Sequence, residues 1–272
     1  TPPRRDGTVH PAILATAGKL GARTIFKVGG AQAIAALAYG TKTIPKVDKI
    51  FGPGSIWVTL AKKLVYGDVG IEGLYGPSEV AILADEEAEP RLIAADLLAQ
   101  AEHMNDSPVF LVTPAKGLIE QVQAELEKQL KRLPRRKVAG ESMERYGAIV
   151  VTSDMDEAID VVNELAAEHV QVCTREPFAL LSKIRNAGAI FLGYSSPVPL
   201  GDYVIGPSHW LPTGRTARFS SGLGTVDFMK RSSVVFASRE AVAEHAEAVR
   251  VLAGLEGLEG HIRAVEARVK KR

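Results

Sequence analysis

The chain has 272 residues, enough for one large or two ordinary domains, and its 46% hydrophobic and 24% charged content excludes a disordered polypeptide. With 33 Lys and Arg against 32 Asp and Glu, the formal charge of +1 excludes the net basic field of a general nucleic-acid surface. The single cysteine, Cys173, excludes an intramolecular disulfide and a thiolate-rich zinc cluster and fits a reducing cytosol.

No apolar run reaches the roughly 18 residues of a membrane helix, and no signal-peptide pattern opens the sequence. The expectation is a cytoplasmic protein with neither membrane nor nucleic-acid partners. The first residues, Thr1 to Gly7, read as an interior loop, so the sequence is expected to be a fragment or a processed chain.

In chain order, the pattern predicts a helix from Val9 to Leu20, a strand from Thr24 to Val28 and a helix from Ala31 to Tyr39. Gly29-Gly30 makes a tight strand-to-helix turn. A strand from Val47 to Phe51 leads through Gly52-Pro53-Gly54-Ser55 into a helix ending near Val65. The apolar run Val80 to Leu83 reads as a buried strand. A helix follows, rich in Ala and Leu from Leu92 to Ala101 with Pro90 in its first turn, and is read as running on to His103. Next come strand Val109 to Val112, helix Gly117 to Leu133, strand Ala148 to Val151, helix Met155 to Ala166 and strand Val170 to Val172. Helix Pro177 to Ile184 and strand Ala189 to Leu192 complete the series.

This alternation predicts an α/β fold of Rossmann-like parallel sheets flanked by helices. The stretch from Gly193 to about Asp227 is irregular and rich in Gly, Pro and Ser, a length of loop that is usually functional. Two charged helices, Arg239 to Leu252 and Leu258 to Val269, form a small helical tail. The expected domains are 1–77, 78–225 and a C-terminal helical dimerisation segment, 226–272.

Several short constellations have the composition of a site. Gln100 and His103 are three apart, so on a helix they share a face, and an amide oxygen with an imidazole can ligate a metal. The same pair also suits an ordinary helix C-terminus, where His103 complements the dipole. Glu168-His169 is an adjacent acid and base, which could transfer protons if both faced one cleft. In a regular strand they would point to opposite faces, so convergence needs an irregular backbone there. Asp202 and His209 lie seven apart in the irregular stretch, and His261 stands at a helix start. Gly52-Pro53-Gly54-Ser55 and Gly29-Gly30-Ala31-Gln32 each precede a helix N-terminus able to hold an anion, or are plain turns.

Taken together these residues carry a resemblance. Gly29 to Leu37, Val47 to Gly54, Gly76-Pro77-Ser78-Glu79-Val80, Ala99-Gln100-Ala101-Glu102-His103, Ala167-Glu168-His169, Asn186 to Gly193, Gly201-Asp202-Tyr203, Leu211-Pro212-Thr213 and Thr216 to Ser221 run in the order seen in the histidinol dehydrogenase family. The resemblance covers essentially the whole chain. It implies oxidation of L-histidinol through the aldehyde to L-histidine with two NAD⁺, the last steps of histidine biosynthesis. It also implies one zinc ion held by Gln100, His103, Asp202 and His261, with His261 reaching across a homodimer so that the active site is shared. Glu168 and His169 match the acid–base pair: His169 would take the alcohol proton and Glu168 would activate the water that hydrates the aldehyde. Ser78, Gln100, His103, Asp202, His209, Glu256 and His261 match substrate-binding positions, and Gln32 and Ser55 match NAD-contacting ones.

The sequence departs from the family pattern at a few of these places. Ser55 replaces an Asn, Met104 an Asp, Ala167 a Pro and Gln171 a Glu, while Ser208 and Trp210 flank His209 in place of Asn and Val. Family members also carry an N-terminal portion beyond these blocks, so the Rossmann-like sheets are expected to be incomplete. Two alternatives stand beside this reading: a zinc- and NAD-dependent relative acting on another small polar alcohol, such as a sulfonated diol, and a truncated, non-catalytic homologue.

Overall fold

The amphipathic and apolar runs fold as their periods dictate, and the computed structural model describes residues 1–206 and 208–269. Two units result, Thr1–Asp227 and Phe228–Arg272. The first opens with α1 (Pro11–Lys19), capped by His10, whose ring nitrogen accepts the Ala12 N–H. Then come α2 (Gly30–Tyr39), β1 (Lys49–Ile50), α3 (Ile56–Val65) and β2 (Gly70–Ile71). β1 and β2 pair in parallel, and Ile34, Ala38, Ile50, Val65 and Val69 form a small core over them.

The predicted strand at Thr24 to Val28 is absent; these residues carry no strand assignment, and the Thr1 ammonium donates to the Phe26 carbonyl. A strand exists only through its ladder, and no neighbouring strand in the described residues offers one.

The main sheet is built from β3 (Val80–Ala84), α4 (Pro90–Ala101), β4 (Val109–Thr113), α5 (Lys116–Leu130), α6 (Arg136–Tyr146), β5 (Gly147–Val151), α7 (Met155–Leu165), β6 (His169–Cys173), α8 (Pro177–Leu181), β7 (Ala189–Leu192) and α9 (Val198–Tyr203). All five strands are parallel, in the order β5-β4-β3-β6-β7. The segment read as one helix from Gly117 to Leu133 ends at Leu130, and a second helix, α6, follows it. Between them lies Pro134, which cannot continue a helix. α9 is likewise a short helix inside the stretch expected to be irregular.

Strand periodicity divides the core. Val80, Ile82 and Ala84 pack with Leu111 against α4, α5 and α6, while Ala81 and Leu83 pack with Val112, Val170 and Val172 against α7. All five residues of β3 are fully buried, as a central parallel strand covered on both faces must be.

This topology has a switch point between β3 and β6, and ligands of such sheets bind outside the carboxyl ends of the strands there. Here the Asp85 carboxylate occupies that place. It accepts the Arg175 N–H at 2.7 Å, the Tyr194 hydroxyl at 2.9 Å and the Glu87 N–H at 3.1 Å, lacing the ends of β3, β6 and β7 together. The opposite, amino-terminal edge is where strands begin and helices return, and the candidate residues gather there.

The second unit is a helical hairpin of α10 (Arg239–Leu255) and α11 (Glu259–Val269). Ser238 caps α10 by accepting the Ala241 N–H, and Gly257, at φ +71°, turns the chain. Among the described residues no helix is long and apolar enough to cross a membrane.

In the first unit, Lys62 is buried among the small core's neighbours and donates to Glu72 Oε1 at 2.8 Å and to the Gly52 carbonyl at 3.2 Å. Glu72 Oε1 also accepts the Gly52 N–H at 2.7 Å, so this one ion pair holds both peptide groups of Gly52. Removing one partner leaves the other charge buried and uncompensated. Lys62→Met is therefore expected to cost about 3–5 kcal/mol, read as a fall of about 10 °C in Tm. A double change to Lys62→Met with Glu72→Leu should recover part of that loss; calorimetry on both variants checks it.

Candidate active site

The register of β3 against β6 sets Val80 opposite His169, so the residues just before β3, Ser78 and Glu79, face Glu168 and His169. α4 runs back from the far end of β3 and delivers Gln100 and His103 to the same edge. α9 returns likewise with Asp202. Ser78, His103, Glu168, His169, Asp202 and His209 thus line one cavity of about 500 Å³, together with Pro53, Tyr203 and Trp210.

One chain of hydrogen bonds ties it together. The Gln100 amide donates to Ser78 Oγ at 2.8 Å, and Ser78 Oγ donates to Glu168 Oε2 at 2.5 Å. The Glu79 N–H donates to the same carboxylate oxygen at 3.2 Å.

Two local readings of the sequence change here. α4 ends at Ala101 with Glu102 as its cap, so His103 lies beyond the helix; its N–H still reaches the Gln100 carbonyl at 3.2 Å, which keeps it one turn away. β6 begins at His169, one residue earlier than the pattern predicts. Glu168 therefore sits outside the regular strand, after Ala166 in the left-handed conformation (φ 47°) that ends α7. That break in the backbone lets acid and base converge, with Glu168 Oε2 3.6 Å from His169 Nδ1.

The electrostatics follow from burial. Glu168 is pushed up to about 8, chiefly by desolvation, against the lowering effect of its bonds from Ser78 and the Glu79 N–H; the nearby Glu79 and Asp202 charges raise it further. His169 is pulled well below its ordinary value by desolvation, with the Asp202 charge and the Glu79 carbonyl opposing. It is consequently neutral near pH 7. Its Nδ1 lies 3.2 Å from the Glu79 carbonyl, and because a carbonyl only accepts, Nδ1 carries the proton. Its Nε2 is buried without a hydrogen-bond partner, 3.7 Å from Asp202 Oδ1. A buried neutral imidazole with a free lone pair at the cavity has what general-base chemistry requires.

Among the described residues no three His, Cys, Asp or Glu side chains are grouped as a metal site. Gln100, His103 and Asp202 nonetheless offer an amide oxygen, an imidazole and a carboxylate. Gln100 Oε1 is buried and has no hydrogen-bond partner, because its Nε2 is the atom used on Ser78. An orphaned buried oxygen costs free energy that a cation would recover, so these residues fit one.

Two further candidates of the first unit, Gln32 and Ser55, do not line this cavity. Gln32 lies in the first turn of α2, its amide packed where a side chain on Gly30 would be, and Ser55 is the residue before α3, its hydroxyl making no capping bond. Glu256 and His261 belong to the helical hairpin, at the end of α10 and in the first turn of α11. Glu79, Trp210 and Phe191, whose ring packs 5.9 Å from His169, had no sequence signal tying them to the acid–base pair. Asp96, four residues before Gln100 in an apolar helix, had one: it accepts the Gln171 amide at 2.6 Å and couples α4 to β6.

Comparison with known proteins gives the family. The family described as histidinol dehydrogenase matches residues 1–269. The chain is 54% identical to histidinol dehydrogenase of Halalkalibacterium halodurans and 55% identical to that of Bacillus subtilis, over 99% and 100% of its own length. It spans about 64% of the length of each of these relatives. A solved structure of histidinol dehydrogenase from Elizabethkingia anophelis superposes with a TM-score of 0.94 at 38% identity, covering 99% of this chain and 62% of that one. The chain belongs to the histidinol dehydrogenase family.

Proposed function

We propose that this chain carries the catalytic portion of a zinc- and NAD⁺-dependent histidinol dehydrogenase, oxidising L-histidinol through L-histidinal to L-histidine, the closing steps of histidine biosynthesis. The observation that supports it most is the neutral His169 with a free Nε2 beside Glu168, in a cavity that also presents His103 and Asp202, with Gln100 joined to it through Ser78.

Gln100, His103 and Asp202 would hold the zinc with His261 supplied across a homodimer, and a bound zinc would supply positive charge that orients the substrate. A bound NAD⁺ would supply the hydride acceptor, and the N-termini of α2 and α3, with Gln32 and Ser55, are the places on this chain suited to hold its phosphates and amide. His169 Nε2 takes the hydroxyl proton as hydride leaves, its ring held by the Glu79 carbonyl and by Phe191. The aldehyde must then gain an oxygen before a second hydride can leave; Glu168, held by Ser78 and the Glu79 N–H, takes the proton from the attacking water in its ionised form, the minor one near pH 7 in the metal-free site and the one that a bound cation would favour. Ser78 and His209 face the same space and orient the substrate. The segments 1–77, 78–225 and 226–272 would serve as cofactor side, acid–base side and dimerisation element in a cytoplasmic enzyme.

One observation favours a second reading, a relative acting on another small polar alcohol. Trp210 packs edge-on to His209 and lines the cavity beside it, where the family pattern has a Val. Turnover of histidinol against a sulfonated diol separates the two.

With metal-loaded, complete enzyme, two NADH should form per histidinol. Glu168→Gln should slow the aldehyde-oxidising half by about 10²-fold or more while sparing the first, which a single-turnover assay starting from the aldehyde resolves. An absence of NADH from well-folded, metal-loaded protein would sink the proposal.

Stability offers a second check, on metal-stripped protein. Glu168 is raised from 4.5 to about 8, so its protonated form is the one the fold favours. That contribution is complete below about pH 4.5 and is lost as pH rises through about 8. Glu168→Gln should remove the loss, so the Tm advantage of the variant grows between pH 5 and pH 9, to about 5 °C or more. A constant difference across that window would contradict the buried, protonated carboxyl.

A further inference from the structure

One residue, Glu79, contacts both members of the acid–base pair through its backbone. The Glu79 N–H donates to Glu168 Oε2 at 3.2 Å, and the Glu79 carbonyl accepts the His169 N–H at 3.1 Å and lies 3.2 Å from His169 Nδ1. The two peptide groups flanking Glu79 therefore set where the acid sits and which imidazole nitrogen is left bare. A loop residue could not hold such a position by its backbone alone. Glu79 is largely buried, and its carboxylate is seated elsewhere in the chain: Oε1 accepts the Gly214 N–H at 2.6 Å, and the backbone N–H groups of Arg215 and Glu168 act on the same carboxylate.

Gly214 (φ +58°) and Arg215 (φ +66°, ψ 9°) are consecutive residues in the left-handed conformation, the second of them not a glycine. The backbone N–H groups of both residues of this turn act on the Glu79 carboxylate, so the turn makes an anion-binding concavity. A non-glycine residue keeps that conformation only where its surroundings impose it. Here Glu79 fills the concavity, Arg215 is paired with Glu164, and the Gly76 N–H donates to Thr213 Oγ1 at 2.5 Å, stitching the same two loops a second time.

We infer that Glu79 is a positioning residue for the acid–base pair: its carboxylate, seated on the backbone N–H groups of Gly214 and Arg215, fixes the peptides that place Glu168 and hold His169 with its proton on Nδ1. This rests on the proposed roles of Glu168 and His169. It separates two properties of the side chain. A charge nearby would be supplied as well by Asp, which is one methylene too short to reach the 214–215 concavity. The reach and the acceptor oxygen are supplied by Gln, which has no charge.

The test compares Glu79→Ala, Glu79→Asp and Glu79→Gln in the complete, metal-loaded protein by two readouts. The first is the imidazole tautomer of His169, read from ¹⁵N-histidine NMR and assigned with His169→Asn; it needs no turnover. The second is steady-state kinetics on L-histidinol. Positioning predicts that Ala and Asp lose the single Nδ1–H tautomer and lower kcat by about 10²-fold, the cost of a misplaced base, with KM shifted far less. Gln should keep the tautomer and most of kcat. If Glu79→Ala fails to fold, the Asp and Gln variants decide alone. Wild-type tautomer and kcat in Ala or Asp would overturn the inference, as would a Gln variant as impaired as Ala. A wild-type enzyme inactive on histidinol would overturn the proposed function instead, leaving the tautomer comparison to judge Glu79.

Discussion

The ladder between β3 and β6 does more than hold a sheet together. These strands are central and parallel, and α4 after β3 and α9 after β7 return to the edge where the strands begin. Pairing Val80 with His169 therefore places four chemically active residues, Ser78, Glu79, Glu168 and His169, side by side although about ninety positions separate them in sequence. The helix returns bring Gln100, His103 and Asp202 to the same edge. Shifting that register by one residue would turn His169 and Gln171 from the α4 side to the α7 side and dismantle the site.

The choice of edge is itself physically explained. In an open parallel sheet the crevice beyond the carboxyl ends at the switch point is the ordinary ligand site. Asp85 fills it with three hydrogen bonds to the loops after β3, β6 and β7, so that end is a structural clasp. At the amino-terminal edge two of the candidate residues keep buried polar atoms without hydrogen-bond partners, Gln100 Oε1 and His169 Nε2. Protein interiors rarely leave such atoms unsatisfied, and where they do the missing partner is commonly a ligand. The left-handed Arg215, a costly conformation for a residue other than glycine, falls beside the same edge, next to the Gly214 N–H that seats Glu79.

The sheet and the site are stabilised by different means. Fully buried aliphatic residues such as Ile82, Leu83 and Leu111 supply non-directional burial that tolerates small displacements. The site is held by directional contacts, Gln100 to Ser78 to Glu168 and Glu79 to both members of the pair, which do not. The Lys62–Glu72 pair extends the same principle to the Gly52 loop, whose Pro53 lines the cavity. Desolvation then does the electrostatic tuning, raising the carboxyl and lowering the imidazole so that each holds the neutral form near pH 7.

The sequence by itself determined the class of fold, because the apolar runs at Val80, Val109, Ala148, Val170 and Ala189 alternate with helical periods, and burial on both faces needs no long-range information. It also exposed Gln100, His103, Glu168, His169 and Asp202 as chemically suited residues, and the ordered family blocks named the kind of enzyme they serve. What only the tertiary structure decided is how they meet. The convergence of Glu168 with His169 depends on Ala166 turning left-handed and on β6 starting one residue early, which no local propensity prescribes. The strand expected at Thr24 to Val28 depended on a ladder partner that the described chain does not provide. Glu79 was one residue of a Gly-Pro-Ser-Glu block, and its role follows from Gly214 lying 135 positions away. Pairing, register and loop closure are non-local, and a sequence read locally cannot contain them.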